Sequence, residues 1–111
     1  LISALFEDGA FIVALRMGAF GSYIANRETG ERWQVGTVPT TITDQTGAGN
    51  TYCGGFLQGI LQGCGLAEAA ARGAVSASFS IEQVGVLDVS RLSRTERDWR
   101  LNQLLAQLSA L

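Results

Sequence analysis

The chain has 111 residues, 47% of them hydrophobic, and a formal net charge of −2. That is at most one domain, with enough apolar material for a modest core. Its basic residues are scattered and it has no histidine. The first fact excludes the electrostatic footprint of a nucleic-acid binder; the second excludes Ser–His and Cys–His catalysis and histidine-based metal sites within this chain.

In chain order, Leu1-Ile2-Ser3-Ala4-Leu5-Phe6 opens without Met. It reads as the tail of a helix belonging to a longer protein, ended by Asp8-Gly9. Phe11-Ile12-Val13-Ala14-Leu15 is a continuous apolar run, the pattern of a strand buried on both faces. Gly18 and Gly21 bracket a tight turn, and Ser22–Asn26 alternates as a half-exposed strand. Glu28-Thr29-Gly30-Glu31 predicts the turn of a hairpin whose second arm is Arg32–Val35. Pro39 marks a bend before a short strand at Thr40–Thr43.

A polar loop at Asp44–Ala48 leads into a helix predicted from about Gly49 to Gly63. Its apolar face is Tyr52, Cys53, Phe56, Leu57, Ile60, Leu61 and Cys64. Gly55, Gly59 and Gly63 form a second stripe, each glycine costing up to about 1 kcal/mol against alanine. Such a stripe suits the close approach of another helix or of a ligand, and helix packing is the simpler reading. After Gly65 the small residues Ala67, Ala69, Ala70, Ala71, Gly73, Ala74, Ala77 and Ser78 predict a second helix from about Leu66 to Gln83, stopped at Gly85 and packed antiparallel to the first. Ser93 and Glu96 have capping-box spacing, and the last helix carries Leu101, Leu104, Leu105 and Leu108 on one face. That face covers the sheet or a helix, or serves a partner.

Cys53 and Cys64 share one predicted helix, roughly 16 Å apart, beyond disulfide reach. Both read as small buried hydrophobes of a reducing, cytoplasmic protein. No apolar run approaches the roughly 20 residues that cross a bilayer, and no membrane or nucleic-acid partner is expected.

The chemistry concentrates at Gly47-Ala48-Gly49-Asn50. A helix N-terminus leaves backbone N–H groups pointing forward, and phosphate suits such a place, although many glycine turns bind nothing. The loop has neither the lysine of a Walker motif nor the dinucleotide glycine pattern. Asp44 can bond loop N–H groups or ligate a cation. Arg16, Arg27 and Arg32 can meet phosphate or simply be solvated, and Glu82 reads as a surface carboxylate.

Asp44-Gln45-Thr46-Gly47-Ala48-Gly49-Asn50-Thr51-Tyr52-Cys53-Gly54-Gly55-Phe56-Leu57 closely resembles the second signature of the PfkB, or ribokinase-like, carbohydrate kinases. That signature reads D-T-T-G-A-G-D before an aromatic residue and a small-residue helix. Leu15-Arg16-Met17-Gly18-Ala19-Phe20-Gly21 looks like the family's T-L-G-x-x-G turn, and Val84-Gly85-Val86 matches the place where the family closes its nucleotide site. Gly47–Asn50 together with Ala77-Ser78-Phe79-Ser80-Ile81-Glu82-Gln83 is most similar to a fungal subgroup, the "maintenance of killer" proteins.

The resemblance implies an α/β fold, the C-terminal part of a ribokinase-like three-layer α/β/α sandwich, with residues 1–111 a single partial domain. It implies transfer of the γ-phosphoryl group of ATP to a sugar or related alcohol, a small-molecule partner. Gly47, Ala48, Gly49 and Asn50 would form the anion hole. Arg16, Gly18, Gly21, Thr46, Gly47, Gly49 and Ala74 would lie toward the nucleotide, and Asp44 and Thr46 would help bind a monovalent cation such as K+. Mg2+ ligands, the sugar-binding residues and the lid belong to the family's N-terminal part and are expected upstream. Three positions depart from the pattern: Asn50 replaces the family's base aspartate, Arg16 a common threonine and Ala74 a common asparagine. The implied functions are therefore an active kinase in the intact protein, a nucleotide-binding pseudokinase, or a structural module. The isolated fragment is expected to be inactive; an oligomer is allowed.

Overall fold

Turns cut the first third of the chain into a small sheet. The computed structural model describes residues 2–17, 21–38, 47–82 and 93–110. Helix α1 (Ile2–Glu7) ends at Gly9, whose φ of 106° is the left-handed value that a helix stop favours. Strand β1 (Ile12–Arg16) pairs antiparallel with β2 (Ser22–Asn26), Arg16 opposite Ser22 and Ile12 opposite Asn26. Asn26 Oδ1 then accepts hydrogen bonds from the backbone N–H groups of Glu28 (2.9 Å) and Thr29 (3.3 Å). This Asx-type turn delivers β3 (Arg32–Val35), antiparallel to β2.

Among the described residues three helices follow: α2 (Ala48–Leu61), α3 (Leu66–Ile81) and α4 (Arg94–Leu105). A two-residue strand, β4 (Ser109–Ala110), adds to β3 and completes the order β1-β2-β3-β4, antiparallel throughout. It is too short to leave a sequence signal. The strand expected at Thr40–Thr43 and the stop at Gly85 lie outside the described residues.

The core joins sheet and helices. Ile24, Val35 and Val38 pack with Leu66, Ala70, Ala71, Val75 and Phe79 of α3 and Leu104 of α4, flanked by Leu101, Leu105 and Leu108. The leucine face of α4 thus covers the sheet and α3. Neighbouring residues of a strand point to opposite faces, so burial of both Ile24 and Ala25 means that β2 is covered on both sides.

Four expectations need correction. β1 is not buried on both faces: Val13 is buried while Phe11, Ile12 and Ala14 are exposed. Among the described residues the strand has a neighbour on one side only, β2, and α3 rests on β2 and β3. β2, in turn, is more buried than its alternation suggested. The apolar face of α2 is only partly used; Tyr52 and Gly59 are buried, whereas Leu57 and Leu61 face outward and Cys53 is exposed. Glu82 is no bystander, since both its oxygens accept from Arg100, at 2.7 and 3.1 Å.

The glycine stripe of α2 is a helix-packing surface at two of its three positions. A methyl group on Gly59 would come within 2.9 Å of the Ala69 Cα, and one on Gly55 within 2.9 Å of the Arg72 carbonyl oxygen. From α3, Gly73 answers by lying against the Tyr52 carbonyl. These pairings run in opposite directions along the two helices, which are therefore antiparallel as expected. Gly63 serves the backbone instead, its φ of 80° closing α2.

Candidate functional site

The N-terminus of α2 is built by a glycine and held by a tyrosine. Gly47 stands at φ 85°, ψ −6°, a conformation open to few other residues, and has no side chain to cap the first turn. Its carbonyl accepts from both the Thr51 N–H (3.1 Å) and the Thr51 hydroxyl (3.0 Å), which ties the loop to the helix. The N–H groups of Ala48, Gly49 and Asn50 have no acceptor within the helix, as for any first turn. They carry the positive end of the helix dipole. Asn50 is exposed there, and Ala48 and Gly49 are half-buried.

Tyr52 anchors this turn on three sides. Its hydroxyl bonds Ser22 Oγ of β2 at 3.2 Å in a buried position. Its ring stacks with Phe56, centroids 6.4 Å apart, and its backbone touches Gly73 of α3. Burial raises its pKa above the ordinary value, against the opposing pull of the Ser22 bond and the Arg16 charge.

Arg16, at the end of β1, reaches across to the same turn. Its Cζ lies 5.5 Å from the centre of the Tyr52 ring, within cation–π range. A methyl on Gly49 would lie 2.7 Å from Arg16 Nη2, so the guanidinium rests directly against the loop backbone. Among the described residues no carboxylate pairs with Arg16, whereas Arg72 and Arg97 each have one and Arg100 has two.

The other candidates are more dispersed. Gly21 is buried at φ 86°, where a side chain would overlap the Val35 carbonyl; its backbone role in the sheet is sufficient reason for glycine. Ala74 is half-buried and packs against the core cluster. Arg27 donates to the Phe6 carbonyl (3.0 Å) and lies over the Phe11 ring, away from phosphate duty. Gly18, Asp44 and Thr46 lie outside the described residues, as does Val84-Gly85-Val86. Two contacts escaped the sequence, Tyr52–Ser22 and Arg16–Gly49. Each joins distant stretches, and only the aromatic residue placed just after the loop hinted at an anchor.

A second polar cluster docks α4 on α3. Arg100 is buried; it donates to Ser78 Oγ (2.9 Å), Glu82 Oε1 and Oε2, and Glu96 Oε1 (2.9 Å), and covers the Phe79 ring at 4.1 Å. Desolvation by itself would lower the Arg100 pKa, but Glu82 and Glu96 more than offset it. Ser93 caps α4 by accepting from the Glu96 N–H at 3.2 Å, yet the Glu96 side chain turns to Arg100, so only half of the capping box operates. With every arm of its fork engaged, this cluster is structural.

Comparison with known proteins gives a consistent picture. The model of the pfkB family carbohydrate kinases matches residues 1–91. The chain is 40% identical over 77 residues to the 5-dehydro-2-deoxygluconokinase of Geobacillus thermodenitrificans, covering 68% of this chain and 22% of that protein. Among solved structures, the Arabidopsis thaliana ribokinase complexed with ribose and ATP superposes with a TM-score of 0.77 at 23% identity, over 90% of this chain and 32% of that one. The Burkholderia thailandensis nucleoside kinase in complex with inosine gives 0.78 at 23%, over 93% and 34%. The two structures establish a shared fold. The chain spans between 22% and 34% of the length of these three proteins.

Proposed function

Because this chain belongs to the pfkB family of carbohydrate kinases, we propose that the protein carrying it binds ATP before the α2 N-terminus and transfers the γ-phosphoryl group to a hydroxyl of a sugar or related alcohol. The observation that carries this reading is the start of α2: left-handed Gly47, no side-chain cap, and three successive N–H groups with no acceptor in their own helix. Fixed dipoles of this kind stabilise the charge of the transferring phosphoryl group without reorganising. Ala48, Gly49 and Asn50 supply these three donors, the N–H of the N-cap Gly47 is proposed to join them, and Asn50 adds an amide that can orient the acceptor hydroxyl.

Ala74, Gly18, Gly21 and Thr46 are proposed to lie on the nucleotide side, and Asp44 with Thr46 to hold a monovalent cation such as K+. Mg2+, when bound with the nucleotide, neutralises charge between the phosphates. Its ligands are proposed to come from other segments, as the family resemblance implies. No helix among the described residues is long and apolar enough to cross a membrane. A cytoplasmic protein of the fungal "maintenance of killer" subgroup is the finer reading, supported by Gly47–Asn50 and the Ala77–Gln83 run.

Asn50 favours a second reading. Its amide has no useful basicity near neutral pH and cannot accept the proton of the acceptor hydroxyl, work that typically contributes about 10²- to 10⁴-fold in rate. A pseudokinase would keep the phosphate cradle and dispense with turnover. The test is ATP binding and acceptor-dependent ADP formation by the intact protein against Asn50→Asp. The expected result is ATP binding by both, with ADP formation rising in Asn50→Asp toward that factor. Bound ATP with no turnover in either protein selects the pseudokinase; no ATP binding overturns both readings.

A further inference from the structure

We infer, resting on the kinase reading above, that Tyr52 is a positioning residue for phosphoryl transfer: the hydrogen bond between its hydroxyl and Ser22 fixes the first turn of α2 relative to the sheet. Tyr52 acts in this role through the backbone donors of that turn.

The turn has little else to locate it. It has no side-chain cap, and the bonds from Thr51 to the Gly47 carbonyl tie the loop only to its own helix. Further along, α2 is seated on α3 by Gly55 and Gly59, and it is α3 that rests on β2 and β3. Among the described residues the Tyr52–Ser22 bond, 3.2 Å long, is the only hydrogen bond that joins α2 to the sheet directly. Side chains of a helix lean toward its N-terminus, so this bond acts on the turn that begins at Ala48.

Both ends of the bond are held. Ser22 is buried in β2, opposite Arg16 on one side and Val35 on the other. The Tyr52 ring is stacked with Phe56 and lies against Gly73, where an added methyl would come within 3.1 Å of the ring. Phenylalanine would fill this space by packing alone. The hydroxyl adds a desolvation cost, visible in the raised pKa, and what it contributes in exchange is direction. Apolar packing tolerates sliding, whereas a buried hydrogen bond holds only over a narrow range of distance and angle. Donors aimed at a transferring phosphoryl group need that accuracy, because a misplacement of about 1 Å costs on the order of 10²-fold in rate.

The test is steady-state ADP formation by the intact protein, with ribose, fructose and glycerol as acceptors, in the wild type and in Asn50→Asp. The faster of these is the parent for Tyr52→Phe, Ser22→Ala and the double variant. Ser78→Ala is the control, since it removes a buried hydrogen bond from the structural cluster between α3 and α4. Thermal unfolding checks that each variant is folded at the assay temperature. The expected result is a kcat about tenfold or more below the parent for Tyr52→Phe and for Ser22→Ala, with KM for ATP within twofold, the pattern of an interaction used in the transition state. The double variant should fall no further than the slower single variant, because both substitutions remove one bond. Ser78→Ala should keep the parent kcat. A kcat of Tyr52→Phe within twofold of the parent overturns the inference and leaves the kinase reading intact. Single losses that multiply in the double variant, or an equal loss in Ser78→Ala, also overturn it, because general stability rather than position is then what was removed. Absence of turnover in both the wild type and Asn50→Asp removes the inference together with the reaction it rests on.

Discussion

Ionising Tyr52 would place a phenolate among Ser22, Phe56 and the backbone of α3, and burial accordingly pushes its pKa above the ordinary 10.0. The folded chain holds this proton more tightly than the unfolded chain does. Stability from this source is therefore complete below pH 10 and is lost as pH rises from 10 through the folded-state pKa. Tyr52→Phe keeps the ring under Arg16 and deletes the ionisation, and it also removes the Ser22 bond, a cost of about 1 kcal/mol. We expect Tyr52→Phe to be slightly less stable at pH 8 but to lose less stability between pH 9 and 11, measured by denaturant unfolding. Parallel losses in the two proteins would sink this account and pass the alkaline transition to other groups. The same residue shows what a sequence can and cannot disclose about a site. Gly47 and Gly49 were readable because glycine before a helix is a local signal. Arg16 on Gly49 and Tyr52 on Ser22 were not, because strand pairing and helix docking bring these residues together from separate stretches.

At the scale of elements, punctuation made α1, the β2–β3 hairpin, α2, α3 and the start of α4 legible: Gly9, Asn26 to Gly30, Gly47, Gly63, Gly65 and Ser93 all sit at the ends of elements. Burial was harder to read. An apolar run states what a strand could bury, while its neighbours decide what it does bury. Among the described residues β1 has a strand on one side only, and Ile12 is exposed. The glycines of α2 make the same distinction testable. Gly59 faces Ala69 so closely that an added methyl must push two backbones apart, whereas nothing lies within 4 Å of a methyl on Gly54. Gly59→Ala should destabilise the chain by about 1–3 kcal/mol through overpacking. Gly54→Ala should stabilise it by about 0.5–1 kcal/mol, because alanine loses less backbone freedom in a helix. Denaturant midpoints of the two variants should move in opposite directions, and a stabilised Gly59→Ala would refute the close approach of α2 and α3.

For the molecule as a whole, apolar exposure and charge decide behaviour together. Phe11 just before β1, Ile12 in β1, Leu57 and Leu61 on α2 and Trp99 on α4 are all exposed, Leu61 at 86%. A strand edge invites association, and exposed apolar side chains add to it where they gather into a patch. A net charge of −2 opposes it only weakly, and even that vanishes near the isoelectric point of about 4.9. The chain of 111 residues, prepared by itself, should therefore self-associate in a concentration-dependent way, more strongly as pH falls from 8 toward 5. Replacing Ile12 by Lys places a charge on the open edge strand, and replacing Leu61 by Glu removes the most exposed of these side chains. Neither position belongs to the core or to the α2 N-terminus. In sedimentation velocity at pH 7 the double variant should shift toward monomer. If it associates as strongly as the parent chain, the attraction comes from neither the edge nor α2. If association fails to rise toward pH 5, net charge is not what restrains it.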